Sequence, residues 1–292
     1  MKLSTVKING NEQAAISIAN GLVLIETINE AERAGWSTEL FELIRLGELS
    51  TLTEWYNTGG KEKLAQLASI PYEKAEYGPL YRHPRKIWGI GLNYVKDAAE
   101  LAAADPNDEP VSFMKPDTTL IGPLDAIRIP PGAGTITAEA ELGIIIGKTC
   151  KNITEAEVYD AIAGYTTTID VTASDIHARN QRYLTRAKSF DTFFSFGPQF
   201  ITKDEFPDPL DIQVETALNG AAAHRNKVFN MKFRPAFAVS FHSKVMTLLP
   251  GDIIMTGTPG AVVIRDGDVV ECRIEGFEPL LNPVRNGEPA LK

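Results

Sequence analysis

The chain has 292 residues, 43% of them apolar, and sets 29 basic against 38 acidic side chains for a formal charge of −9. That apolar share is ample for a sizeable core in one large domain or two, and the acidic excess argues against nucleic acid or an anionic membrane as partner. The first residues lack a signal-peptide core and no run approaches the ~18 apolar residues of a membrane span, so a cytoplasmic protein is expected.

Residues 1–80 read as a small α+β unit. Lys2 to Ile8 and Ala14 to Ile18 form an expected hairpin across Asn9-Gly10-Asn11, Leu22 to Ile25 a third strand, and helical patterns follow through Leu43 and Leu67. Prolines and a glycine interrupt the periodicity between Pro71 and Pro79, which marks a linker and places a second unit at 81–292. There the expected strands are Lys86–Gly91, Glu141–Gly147, Ile162–Asp170, Ile212–Leu218, Asp252–Thr256 and Val269–Ile274.

Two helices stand among them. Asp97–Ala104 is rich in alanine and leads into the loop Asp105–Pro110, the arrangement of a lid. Thr154 with Glu157 makes a capping box, flanked by Ile153 and Val158 at the positions of a hydrophobic staple. Many short strands with few helices do not fit a doubly wound sheet, so the fold class is α+β, mostly β. In a reducing compartment Cys150 and Cys272 read as buried or half-buried thiols, not a disulfide.

The chemistry centres on three carboxylates. Glu139 and Glu141 are two apart on an expected strand and so point to one face, just where the chain turns apolar. Asp170 follows Glu139 by 31 residues, enough for a capped helix and a returning strand. Two anions side by side repel each other unless a divalent cation joins them, and an oxygen-rich set suits Mg²⁺ or Mn²⁺ better than zinc. The plainer reading of Glu-x-Glu is a solvated strand face. Neither the four histidines nor the two cysteines show zinc-ligand spacing.

Three further features follow in order. Ile90-Gly-Leu-Asn93-Tyr94 precedes the expected lid, Lys188 opens Lys188-Ser-Phe-Asp-Thr-Phe193, and Thr256-Gly-Thr-Pro-Gly260 makes a turn able to present backbone N–H groups and the Thr258 hydroxyl to an anion. Read alone, Lys188 is a solvated lysine, the turn a plain tight turn, and Tyr94 either core or pocket wall.

Together with the carboxylates, these motifs resemble the fumarylacetoacetate hydrolase superfamily, from about Lys86 to Val284. The resemblance implies a mixed β-sandwich roll around a Mg²⁺ or Mn²⁺ ion held by Glu139, Glu141 and Asp170. It also implies a homodimer with a small N-terminal domain, Lys188 as the catalytic or substrate-binding lysine, and Thr258 and Tyr94 at the substrate.

The chain departs from the family pattern at two places. Hydrolases of the family carry Gly-x-Asn-Tyr-x-x-His-x-x-Glu, with the His and Glu activating water; here Asp97 takes the place of the histidine and Glu100 remains. After the metal aspartate, where many relatives carry an arginine and a glutamine, this chain reads Asp170-Val-Thr-Ala-Ser174-Asp175-Ile-His177. Asp97, or His177 from another direction, is then the candidate base, with Glu100 the retained catalytic glutamate and His177 also a candidate for the substrate pocket.

The expected activity is metal-dependent cleavage of a C–C bond in a small 2-oxo or 1,3-diketo acid, acylpyruvate hydrolysis being the family default. Oxaloacetate-type decarboxylation, a lyase or dehydratase acting on a sugar-derived 2-oxo acid, and a catalytically silent binding protein are the alternatives. His83, His224 and His242 fall outside the motifs and receive no role.

Overall fold

A computed structural model describes residues 1–105 and 107–287. Pro106, within the loop expected after the lid helix, and residues 288–292 of the second unit lie outside the described residues. The strands are β1 (Lys2–Ile8), β2 (Asn11–Ile18), β3 (Gly21–Leu24), β4 (Ile87–Gly91), β5 (Val111–Lys115), β6 (Leu120–Ile121), β7 (Ile127–Ile129), β8 (Ile136–Ile146), β9 (Ile162–Ala173), β10 (Phe194–Thr202), β11 (Gln213–Leu218), β12 (Ala221–Lys227), β13 (Ile253–Met255), β14 (Ala261–Ile264), β15 (Val269–Ile274) and β16 (Leu280–Asn286). The helices are α1 (Ile25–Glu32), α2 (Leu40–Arg45), α3 (Glu48–Trp55), α4 (Lys61–Leu64), α5 (Ala98–Ala102), α6 (Val158–Ala161), α7 (Ser174–Arg179), α8 (Leu184–Lys188) and α9 (Pro235–Val245).

Local rules account for the first elements. Asn9 and Gly10 take φ of 51° and 83°, the two left-handed positions of a tight hairpin turn, and Ile8 pairs with Asn11 across them. The capping box forms as expected: Glu157 accepts from the Thr154 backbone N–H and hydroxyl, each at 2.8 Å.

An eleven-stranded sheet runs β3-β2-β1-β10-β9-β8-β13-β4-β5, with β14 joined to β8 and β6 to β10. A five-stranded sheet, β12-β11-β15-β16-β7, lies against it. Both are mixed, since β6–β10, β13–β4 and β7–β16 pair in parallel while the other pairs are antiparallel. The fold is therefore α+β and mostly β, as the strand-rich sequence requires.

Between the sheets, Ala138, Ala140, Leu142 and Ile144 of β8 pack with Val214, Val270, Cys272 and Ile274. A second core covers the other face of the large sheet. It joins Leu3, Ala14, Ile16, Val23, Leu40, Leu43 and Leu52 to Ile145, Phe194, Phe196, Phe200, Ile253 and Met255. The first 80 residues extend the large sheet itself, because β1 pairs with β10 through Leu3 and Phe200. Cys150 and Cys272 are buried free thiols.

Several strands escape the sequence pattern for definable reasons. β10, absent from the expected strands, contains Gly197-Pro198, a pair that disfavours a strand; the register with β9 shifts between Phe196 and Phe200, so the strand absorbs both residues in a bulge. β16 contains Pro283. β8 begins five residues before Glu141, its first half masked by polar side chains on one face.

Candidate active site

β8 and β9 pair so that Glu139 stands opposite Asp170 and Glu141 opposite Thr168. Alternation along β8 sends Ala138, Ala140 and Leu142 into the sandwich core and both glutamates to the opposite face. One oxygen from each of Glu139, Glu141 and Asp170 lies within 4.8 Å of the others. Glu141 is 2% exposed and Asp170 is fully buried.

Burial, reinforced by the charges of Asp170 and Glu139, pushes the Glu141 carboxyl well above its usual range. Burial acts on Asp170 in the same direction, but Lys115 and Lys188 outweigh it and hold that carboxyl low.

Lys188 ends α8. Its ammonium donates to Asp170, to Glu139 at 3.1 Å and to the Thr172 hydroxyl at 2.7 Å, with Nζ 4.4 Å from the centre of the Phe113 ring. Burial would lower this ammonium, yet Asp170 and Glu139 raise it above the ordinary lysine value, so it stays charged.

A second lysine reaches the cluster unannounced. Lys115 of β5 is fully buried and donates to the carbonyls of Val171 at 3.0 Å, Lys188 at 2.6 Å and Phe193 at 2.8 Å, while its Nζ lies 2.6 Å from Asp170 Oδ1. Four oxygens surround three protons, so the ammonium is shared among those carbonyls and Oδ1. Burial brings the Lys115 ammonium down to about 8, with Asp170 opposing and Lys188 adding to the shift. A signal was present: Phe113 and Lys115 stand two apart on either side of exposed Met114 and so share the inward face.

These residues fit a divalent ion. Three carboxylates against two ammonium groups leave a net negative charge, and the ligand atoms they offer are all oxygen and lie within reach of one ion.

The Thr256–Gly260 turn is fastened to this cluster. The Gly257 N–H donates to the Glu141 carboxylate, and the Thr256 hydroxyl to the Leu142 carbonyl at 2.8 Å. Gly257 has φ 95°, and a side chain there would come 2.8 Å from Asn93 Cβ and 3.1 Å from the Ile90 carbonyl. Only glycine permits that approach. Asn93, also unforeseen, clamps the region: its amide donates to the Phe233 carbonyl at 2.9 Å and the Thr256 carbonyl at 2.7 Å and accepts from the Phe233 N–H at 2.8 Å. Thr258 closes on its own turn through Gly260. The Tyr94 hydroxyl is buried without a partner among the described residues, and burial together with the Glu141 charge raises it well above the usual phenol range.

The remaining expected residues stand apart from the carboxylates. Asp97 is the N-cap of α5 and accepts from the Ala99 and Glu100 N–H groups at 3.0 Å each, while Glu100 accepts from the Lys96 N–H at 2.7 Å. Both are exposed. His177 lies half-buried on α7, and no side-chain hydrogen bond to it is found among the described residues. Ser174 turns to the Thr135 carbonyl at 3.3 Å and Thr137 Oγ1 at 3.2 Å.

The chain is similar to several known proteins. Residues 86–285 match the family described as fumarylacetoacetate (FAA) hydrolase C-terminal. The mitochondrial oxaloacetate tautomerase of Rattus norvegicus is 33% identical over 228 residues, covering 75% of this chain and 72% of its own. A maleylpyruvate hydrolase from Sphingobium sp. SYK-6, solved with manganese(II) and pyruvate, superposes with a TM-score of 0.80 at 26% identity, over 99% of this chain and 100% of that one. A 2-hydroxyhepta-2,4-diene-1,7-dioate isomerase from Mycobacterium marinum gives 0.74 at 28% identity, over 98% of both chains.

Proposed function

We propose, from the premise that this chain belongs to the fumarylacetoacetate hydrolase family, that it is a metal-dependent enzyme cleaving a C–C bond in a small 2-oxo or 1,3-diketo acid of the acylpyruvate type. The observation that carries this reading is the Lys188 ammonium held against Glu139 and Asp170 beside the third carboxylate, Glu141. Glu139, Glu141 and Asp170 would hold Mg²⁺ or Mn²⁺, which when bound supplies Lewis-acid polarisation of a 2-oxo carbonyl.

The protein groups then have distinct tasks. Lys188 sets a fixed positive charge where an enolate oxygen develops, a contribution of several kcal/mol in a closed site. The turn at Thr258 receives the substrate carboxylate, and Tyr94 has a buried O–H free to donate. In hydrolysis, water bonds to the acyl carbon, the bond from that carbon to C3 breaks, and its electron pair enters the enolate. A proton then returns to C3.

A second reading is favoured by the lid. Asp97 stands where the family's lid histidine would be and caps α5 through Oδ1, and Glu100 accepts from the Lys96 N–H just before that helix, so the lid presents no imidazole base to water. Keto–enol interconversion or decarboxylation of oxaloacetate passes through the same enolate and needs no water to attack. The rat relative bears the name of such a tautomerase. The proposal includes a cytoplasmic homodimer with a unit at 1–80 beside the catalytic unit at 81–292.

The test uses metal-stripped protein with Mn²⁺ restored, offered acylpyruvates and oxaloacetate, with Glu141→Ala as control. Equal release of pyruvate and the matching acid identifies the hydrolase. Keto–enol exchange without CO₂ identifies the tautomerase, and CO₂ the decarboxylase. Bound Mn²⁺ with no turnover of any 2-oxo acid would overturn the enzymatic reading in favour of a silent binding protein.

A further inference from the structure

His224, outside every motif, packs against the turn that is fastened to this site. A side chain placed on Gly260 would bring its first carbon 2.4 Å from His224 Cγ and 2.7 Å from Nδ1, so the imidazole rests directly on the glycine that ends the Thr256–Gly260 turn. Gly260 adjoins Ala261, which pairs with Glu139 across β14 and β8. Thr216, opposite His224 on β11, donates to the Gly260 carbonyl at 2.9 Å and accepts from the Ala140 N–H, between the two glutamates, at 3.2 Å. Two residues along the same face of β12, Asn226 donates to the carbonyl of Val95 at 2.8 Å, where the lid begins.

Position along the turn sets the role. At its inner end the Gly257 N–H meets the buried Glu141, whereas at its outer end Gly260 is half-buried and His224 exposed. The turn thus touches the carboxylate cluster at one end and His224 at the other.

We propose that His224 is a specificity-determining residue that contacts the substrate's distal group and selects 2-oxo acids bearing a second carboxylate there. An imidazole N–H offers a donor to that carboxylate, and hydrogen bonds to charged groups contribute more than neutral ones. This inference rests on the substrate class proposed above.

The test compares wild type, His224→Ala and His224→Gln on a dicarboxylic 2-oxo acid and its monocarboxylic analogue of equal length. His224→Ala is expected to raise KM for the dicarboxylic acid about tenfold or more, the scale of one charge-assisted hydrogen bond, with kcat nearly unchanged and the monocarboxylic acid unaffected. His224→Gln, which retains a donor, recovers part of the loss. Equal losses for both acids, or a fall confined to kcat, would overturn the proposal.

A second readout is independent of turnover. The chain has four histidines, so with Mg²⁺ present the imidazole carbon-bound proton signals can be assigned by substitution. The dicarboxylic acid should move the His224 signal and the monocarboxylic analogue should not. A shift without turnover by wild type would keep His224 at a ligand while rejecting the proposed activity. Absence of a shift would reject the contact.

Discussion

Lys115 Nζ stands 2.6 Å from Asp170 Oδ1, and neither side chain has exposed surface. The ammonium also satisfies three carbonyls, so removing it strands a buried carboxylate and unpairs those acceptors together. Lys115→Met keeps the length and loses the charge. Its expected cost is about 3–5 kcal/mol, the range for breaking one side of a buried ion pair. Urea unfolding of the metal-free protein measures it, and a change below about 1 kcal/mol would contradict the buried pairing.

Lys188 should behave differently with respect to the metal. Its ammonium competes with a bound cation for Asp170 and Glu139, so Lys188→Ala should bind Mn²⁺ at least as tightly as wild type. Turnover, by contrast, should fall about 10²–10³-fold, the range for losing one preorganised charge at a developing oxyanion. A Mn²⁺ titration followed by magnetic resonance, run beside the rate assay, separates the two effects. Loss of metal affinity would make Lys188 a structural support of the carboxylates instead.

His242 gives the fold an acid-sensitive point. Its Nδ1–H donates to the Ala238 carbonyl at 2.7 Å, which leaves Nε2 to accept from the Ser112 hydroxyl at 2.7 Å. Burial lowers its pKa below the ordinary 6.5. The unfolded chain therefore takes up a proton near pH 6.5 while the folded chain resists until lower pH. Stability is complete above 6.5 and declines as pH falls from there toward the depressed folded value, by up to about 1.4 kcal/mol per pH unit. Unfolding at pH 7.5, 6.5 and 5.5 should show this slope, reduced in His242→Gln.

The segment 81–292 should not fold well alone. Phe194, Phe196, Phe200, Ile253 and Met255 share a core with Leu3, Ile16, Leu43 and Leu52, and β10 would lose its partner β1. An exposed edge beside a large apolar face favours aggregation. The fragment is expected to be insoluble or to lack a cooperative melt; a monomer as stable as the full chain would contradict the shared core.

Much of the site could be read from single residues. The i, i+2 spacing of Glu139 and Glu141 fixes their common face, and Asp170 returns opposite Glu139 because the capped helical segment between their strands brings β9 back antiparallel to β8. Lys188 joins them from a helix end that no periodicity announced. Lys115 was harder to find, since a buried lysine runs against the usual place of that residue, and only alternation with Phe113 hinted at its inward direction. His224 depended on a contact between two sheets, which sequence order does not encode. Asp97 was read as a stand-in for a base, and its local position before an alanine-rich helix also made it an N-cap, which is the bond it forms.

The bond from the Gly257 N–H to Glu141 joins two binding events through one carboxylate. Under the proposed reading, a cation drawing on that carboxylate also shifts the amide lining the bed for the substrate. Thermodynamic reciprocity then requires each ligand to change the other's dissociation constant by the same factor. Free metal in the cell would thus act as a gain control, setting how tightly each molecule grips its acid as well as the number of molecules able to work.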